Sequence, residues 1–331
     1  MNVAVDAMGG DHAPELVVQG SVEAVSELGI NIILVGHEKR VSKALRAYPP
    51  QDHISFQHCE DVVRMEESPL KALRKKKDAS IRVAFDLVKK GRADAVISAG
   101  NSGATLAAGV LALGRMKGVE RPAIAAILPT ERGPIVLIDV GANVDCRPSH
   151  LFQFGVMANA FATSCLGIKD PTVGLLSIGH EEGKGNEQVR LAHELFNKSD
   201  LEFVGNVEGR DILSGRVKII VCDGFVGNVA LKLTEGAVES VGRVIERDLM
   251  SSFFGRAALV LGRKSIYKFI RKLDYEEHGG APLLGINGVG MICHGGSSAK
   301  AIKNAISIAA QYVNNRVLEK MTLQLQSAKP C

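Results

Sequence analysis

A single lysine stands between two glycines in Gly183-Lys184-Gly185-Asn186. Glycines let a backbone approach a ligand closely, and an ammonium meets a phosphate as a compact point charge. Asp223-Gly224-Phe225-Val226-Gly227-Asn228 offers a carboxylate and an amide. Asn228 there can hold an oxyanion or a phosphate oxygen; the plainer alternative is an Asx turn and helix cap. Gly100-Asn101-Ser102-Gly103-Ala104 and His294-Gly295-Gly296-Ser297-Ser298 each precede a helix, where free N–H groups attract an anion. Asp6-Ala7-Met8-Gly9-Gly10-Asp11-His12 and Asp139-Val140-Gly141-Ala142-Asn143 add carboxylates in glycine-containing turns. Asp6, Asp11, Asp139 and Asp145 raise the question of a metal, but no fixed ligand spacing supports one, and neither metal nor cofactor is expected. His12 and His294 could each act as acid or base. Walker and dinucleotide fingerprints are absent, as is a Gly-x-Ser-x-Gly elbow, and no cysteine has an obvious local histidine partner. Nothing therefore points to a covalent acyl-enzyme.

These turns need a scaffold, and all but His294–Ser298 are read as following an apolar run. Val3–Val5, Ala95–Ile97, Ile135–Ile138, Val173–Leu176 and Ile219–Val221 read as buried strands. Helices are expected over 15–28, 37–48, 78–90, 102–113, 150–165, 187–196, 230–248 and 297–317, with further strands at 31–36 and 54–57. The alternation predicts a mainly parallel sheet covered on both faces, a three-layer α/β/α architecture. Ligands bind at the carboxyl ends of such strands, so the five turns are expected to open on one crevice.

The chain has 331 residues, 46% of them apolar, and no tryptophan, so aliphatic packing must fill the core. A net charge of +4 is too small to argue nucleic-acid binding. The six cysteines form no CxxC pair and read as reduced cytosolic thiols. The chain begins on a strand-like Asn2-Val3-Ala4-Val5 and reads as carrying no signal peptide. No apolar run approaches the ~18 residues needed to span a bilayer. One domain over 1–331 is expected, with 249–275 as a protruding basic helical element. There Phe253, Phe254, Ile266 and Phe269 are apolar, while Arg263, Lys264, Lys268, Arg271 and Lys272 are basic. Such an element can lie on an anionic membrane, dock an acidic partner, or pack as a helical hairpin between subunits.

In their order along residues 1–317, these turns resemble those of the bacterial phosphate acyltransferases of the PlsX family, together with Gly205-Asn206-Val207-Glu208-Gly209-Arg210 and Gly280-Ala281-Pro282-Leu283-Leu284-Gly285. The resemblance implies a fold like that of isocitrate/isopropylmalate dehydrogenase and phosphotransacetylase. It implies transfer of a long-chain fatty acyl group from acyl carrier protein to inorganic phosphate, giving acyl phosphate for phospholipid synthesis. It further implies a cytoplasmic homodimer, peripherally associated with the membrane and with a downstream glycerol-3-phosphate acyltransferase. On that reading Lys184 and Asn228 stabilise the oxyanion. Asp6, Gly9, Gly10, Asp11, His12, Gly100, Asn101, Ser102, Asp139, Asn143, Asn186, Asp223, His294 and Ser297 surround phosphate and substrate, and the basic residues of 249–275 meet carrier protein or membrane. A phosphotransacetylase acting on short acyl-CoA and a non-catalytic scaffold for membrane lipid-synthesis enzymes are the competing readings.

Overall fold

The computed structural model describes residues 1–250, 277 and 279–328. Phe253, Phe254, Arg263, Lys264, Ile266, Lys268, Phe269, Arg271 and Lys272 lie outside the described residues. The strands are β1 (Asn2–Asp6), β2 (Asn31–Gly36), β3 (Ile54–His58), β4 (Ala95–Ser98), β5 (Ala123–Leu128), β6 (Ile135–Ile138), β7 (Val173–Leu176), β8 (Phe203–Val207), β9 (Ile219–Val221), β10 (Ala281–Leu284) and β11 (Val289–Ile292). They form one sheet in the order β3-β2-β1-β4-β11-β10-β5-β6-β9-β7-β8.

The strands are nearly continuous apolar runs because both faces of the sheet are covered. Val3, Val5, Ile32, Leu34 and Ile97 pack on one face with α1 (Glu15–Leu28) and α6 (Pro148–Ser164). The alternate residues Ala4, Ile33, Val35 and Val96 pack on the other with α4 (Ser80–Lys89) and α5 (Ser102–Leu113). This is the expected three-layer arrangement.

Strand direction is less uniform than the sequence suggested. β3, β2, β1, β4 and β11 run parallel to one another, and so do β6, β9, β7 and β8. Between these blocks β10 pairs antiparallel with β11 and with β5, and β5 antiparallel with β6. The second block therefore runs against the first. In a flat sheet their carboxyl ends would emerge at opposite edges. A twist of roughly 20–25° per strand, accumulated over the six steps from β1 to β9, comes to about 120–150°. A rotation of that size would turn the second set of carboxyl ends back toward the side faced by the first. One crevice is thus compatible with the topology, by twist rather than by a common strand direction.

Three stretches of helix differ from expectation. α8 spans Gly224–Met250, so the turn expected at 224–228 is helical. Its two glycines, which read as turn formers, are instead contact points against a neighbouring loop. A short α3 (Pro69–Lys75) was hidden among basic residues. The helix expected over 297–317 is two, Ala299–Asn314 and Val317–Ser327, broken where Arg316 adopts a left-handed φ of 50°. Val317 and Met321 are fully buried, so core packing outweighs the helix propensity that reads straight through. No helix among the described residues is long and apolar enough to cross a membrane.

Candidate active site

The first group of predicted residues lies after β1, after β4 and before the helix Ala299–Asn314. Asp6 is buried, accepting the Ser98 hydroxyl at 2.8 Å and the Met8 N–H at 3.2 Å. Burial pushes its carboxyl above the usual range, and these donors only partly offset that. Ser98 Oγ also accepts the Gly100 N–H at 3.1 Å. The two loops touch so closely that a Cβ on Gly9 would lie 2.7 Å from Gly100 N. Next to Gly10, the Asp11 N–H donates to Gly295 O at 2.8 Å, pinning the third loop to the first. Asn101 caps α5 by accepting the Ala104 N–H at 3.0 Å, while its amide donates to the carbonyls of Arg64, Met65 and Glu67. Its polar atoms hold loop 64–67 in place rather than standing free for an anion. Ser102 opens α5 and is exposed, as are Asp11 and His12. His294 is exposed too, its Nδ1 accepting the Gly296 N–H, whereas Ser297 is buried.

The second group lies after β6, β7 and β9. Asp139 is fully buried and accepts from five donors: the N–H groups of Ile124, Gly141, Ala142 and Asn143, and the Asn143 amide. Burial pushes this carboxyl up and the donors pull it down, with burial the larger influence. The Asn143 amide also donates to Pro122 O at 2.8 Å. Asp139 and Asn143 are thus engaged in shaping their loop, on which α8 sits: the Gly224 N–H donates to Asn143 O at 2.7 Å. Asp223 caps α8 by accepting the Phe225 and Val226 N–H groups through one oxygen. Asn228 follows one turn in, exposed beside Gly141, and its amide has no hydrogen-bond partner among the described residues.

Lys184 lies in the loop between β7 and α7 (Glu187–Asn197), whose N-terminus Asn186 caps by accepting the Val189 N–H at 2.9 Å. Lys184 is exposed, and its ammonium pairs with no carboxylate among the described residues. Beside it is a cavity of about 400 Å³ at the carboxyl ends of β7 and β9. Leu176, Val189 and Val226 give it apolar walls, and Ser177, Asn186 and Asp223 polar ones.

The structure wires each group internally but makes no hydrogen bond or ion pair between the predicted residues of one and those of the other. Among the described residues, no cluster of three or more His, Cys, Asp or Glu side chains is arranged to hold a metal.

Sequence reasoning passed over the residue that holds the lysine loop. Asn206 on β8 is buried, and its amide donates to Glu181 O at 2.8 Å and Lys184 O at 3.5 Å. Its backbone carbonyl meets His180 Nδ1 at 3.2 Å, and His180 Nε2 lies 3.6 Å from Glu208 and from Asp211. A buried polar residue on a strand was the available signal, but only the fold shows which loop it faces. Asn206→Ala is expected to lower kcat roughly tenfold to a hundredfold by releasing the Lys184 loop, at a stability cost of about 1 kcal/mol. Steady-state kinetics and urea midpoints check this; an unchanged kcat with lowered stability would leave Asn206 a purely structural role.

The family model described as fatty acid synthesis protein matches residues 1–320. The phosphate acyltransferase of Geotalea uraniireducens is 52% identical over 331 residues, covering 100% of this chain and 96% of that protein. That of Nitratidesulfovibrio vulgaris is 52% identical over 321 residues, covering 96% and 93%. In fold the chain is similar to a phosphotransacetylase from Streptococcus pyogenes, with a TM-score of 0.64 at 18% identity over 95% of this chain and 94% of the other. A branched-chain phosphotransacylase from Enterococcus faecalis gives 0.60 at 15% identity over 95% and 99%. The chain belongs to the fatty acid synthesis protein family, among its phosphate acyltransferases.

Proposed function

We propose that the protein transfers a long-chain fatty acyl group from acyl carrier protein to inorganic phosphate, giving acyl phosphate. A phosphate oxygen attacks the thioester carbonyl, a C–O bond forms, and negative charge collects on the carbonyl oxygen. Collapse breaks the C–S bond, and the proton carried by the attacking phosphate ends on the departing thiolate. The observation that carries this reading is the pair Lys184 and Asn228. They are two exposed donors without an anionic or hydrogen-bonded partner among the described residues, on segments that flank one cavity. An ammonium and an amide fixed near a developing oxyanion supply the electrostatic stabilisation that acyl transfer needs.

The phosphate draws on Lys184 and on the N–H groups left unpaired among the described residues at the starts of α5 and α7, around Ser102 and Asn186. The N–H groups opening α8 are instead taken by Asp223 and Asn143, and that of Gly100 by Ser98. Asp6, Asp139 and Asn143 act by shaping the loops that carry those groups. Direct attack, without an acyl-enzyme, is supported by the cysteines. Burial pushes the thiols of Cys59, Cys146, Cys165 and Cys293 up to about 12. That of Cys222, which lines the cavity, goes well above its ordinary value. None of them is a ready thiolate near neutral pH.

The same reading takes in a cytoplasmic homodimer that meets the membrane through 249–275 and hands acyl phosphate to a glycerol-3-phosphate acyltransferase. Phe225, Val229, Leu233, Val241 and Val244 leave an exposed apolar stripe along α8, which supports pairing of two copies. The test is a phosphate-dependent assay for acyl phosphate with palmitoyl carrier protein and a series of acyl-CoA donors. The long-chain carrier substrate is expected to be preferred; a preference for acetyl-CoA would replace this reading with the phosphotransacetylase one. Carrier-protein binding with no thioester cleavage would favour a scaffold.

A further inference from the structure

Resting on that reaction, we infer that the cavity at the ends of β7 and β9 is the subsite for the pantetheine arm of the acyl donor, not for its hydrocarbon chain. Its volume of about 400 Å³ is within the range of small-molecule sites. Its lining is mixed in a way that fits this ligand. Leu176, Val189 and Val226 suit methylene groups. Ser177 Oγ is buried and makes no hydrogen bond among the described residues. Asp223 spends one carboxylate oxygen on the α8 cap and Asn186 its carbonyl on the α7 cap, which leaves the other oxygen and the amide N–H₂ for a ligand. A hydrocarbon chain would leave all three polar groups unpaired, whereas an arm of alternating methylenes and amides supplies both donors and acceptors to them. Position argues the same way. Gly185, in the cavity wall, directly follows Lys184. An arm seated here brings its terminal thioester to the Lys184 loop.

Val226→Phe, on the partly exposed side of the cavity, narrows it from a helix surface, and Ser177→Ala removes its unpaired hydroxyl. Acyl pantetheine thioesters of four and sixteen carbons are compared with the matching thioesters of ethanethiol, which lack the amides. Val226→Phe is expected to raise KM at least tenfold for both pantetheine thioesters by the same factor, and to leave KM for the ethanethiol thioesters unchanged. Ser177→Ala should act in the same direction by a few-fold. A KM increase that grows with acyl length would assign the cavity to the hydrocarbon chain and overturn the inference. So would equal increases for arm-less donors, or no change in either variant. Calorimetric titration with pantetheine separates this inference from the reaction it rests on. Binding to the wild type that Val226→Phe weakens at least tenfold upholds the subsite even where no acyl phosphate forms; no detectable binding overturns it.

Discussion

Lys184→Ala is expected to lower phosphate-dependent thioester cleavage by roughly 10²–10³-fold in kcat, the loss typical of removing one oxyanion donor. The ammonium has no carboxylate partner among the described residues, so its removal strands no buried charge. The exposed loop should keep its fold, because Asn206 holds the carbonyls of Glu181 and Lys184 rather than the lysine side chain. The effect should therefore appear in rate and not in the unfolding midpoint. Lys184→Arg separates charge from shape: a guanidinium keeps the charge but spreads it over a planar fork, and partial activity is expected. A role confined to gathering phosphate would raise KM for phosphate and spare kcat. A solvated loop lysine would change neither, and that result would remove Lys184 from the chemistry.

The contrast between Lys184 and Asn206 marks how far the sequence can be read. Lys184 stands out in the sequence as a lone cation between glycines after an apolar run. The structure leaves it exposed without a carboxylate partner among the described residues, which a solvated loop lysine would also be. Asn206 is opaque because its importance lies in which carbonyls it reaches across β7 and β8, a tertiary fact. Asp6 and Asp139 show the converse. Each spends its carboxylate on its own loop and on a neighbouring strand, Asp6 on Met8 and Ser98 and Asp139 on residues 141–143 and Ile124, so a residue type suited to chemistry serves instead to set backbone shape. Asn101 does the same with its amide. For the fold, continuous apolar runs and glycine-terminated helices show seven of the strands and most of the helices, but not β5, β8, β10 and β11. The reversal between the two strand blocks is not legible, because β5 and β10, which carry it, are not assigned as strands from the sequence, and pairing direction leaves no mark on periodicity.

Gly227→Ala should cost roughly 2–4 kcal/mol of stability, at or above the usual penalty for an overpacked position. Gly227 lies in the first turn of α8, where an added Cβ would sit 1.9 Å from the carbonyl oxygen of Asp139 and 2.8 Å from Cys222 Sγ. Neither can yield cheaply: the first is backbone in a loop fixed by the five hydrogen bonds to the Asp139 carboxylate, and the second is a buried side chain. Three residues earlier on the same helix face, a Cβ on Gly224 would meet Asn143 O at 2.8 Å. The helix thus rests on the 139–143 loop at two glycines, and any larger residue must lift it. Asn228 is the next residue, so lifting α8 also moves the amide proposed to hold the oxyanion, and activity should fall with stability. Gly236 in the same helix provides the control, since a Cβ there meets nothing within 4 Å. Gly236→Ala should be neutral or stabilise by up to ~1 kcal/mol through helix propensity alone. Urea unfolding of the two variants side by side decides the point. Equal midpoints would mean that α8 does not approach the Asp139 loop as closely as the structure has it, and the placement of Asn228 would go with it.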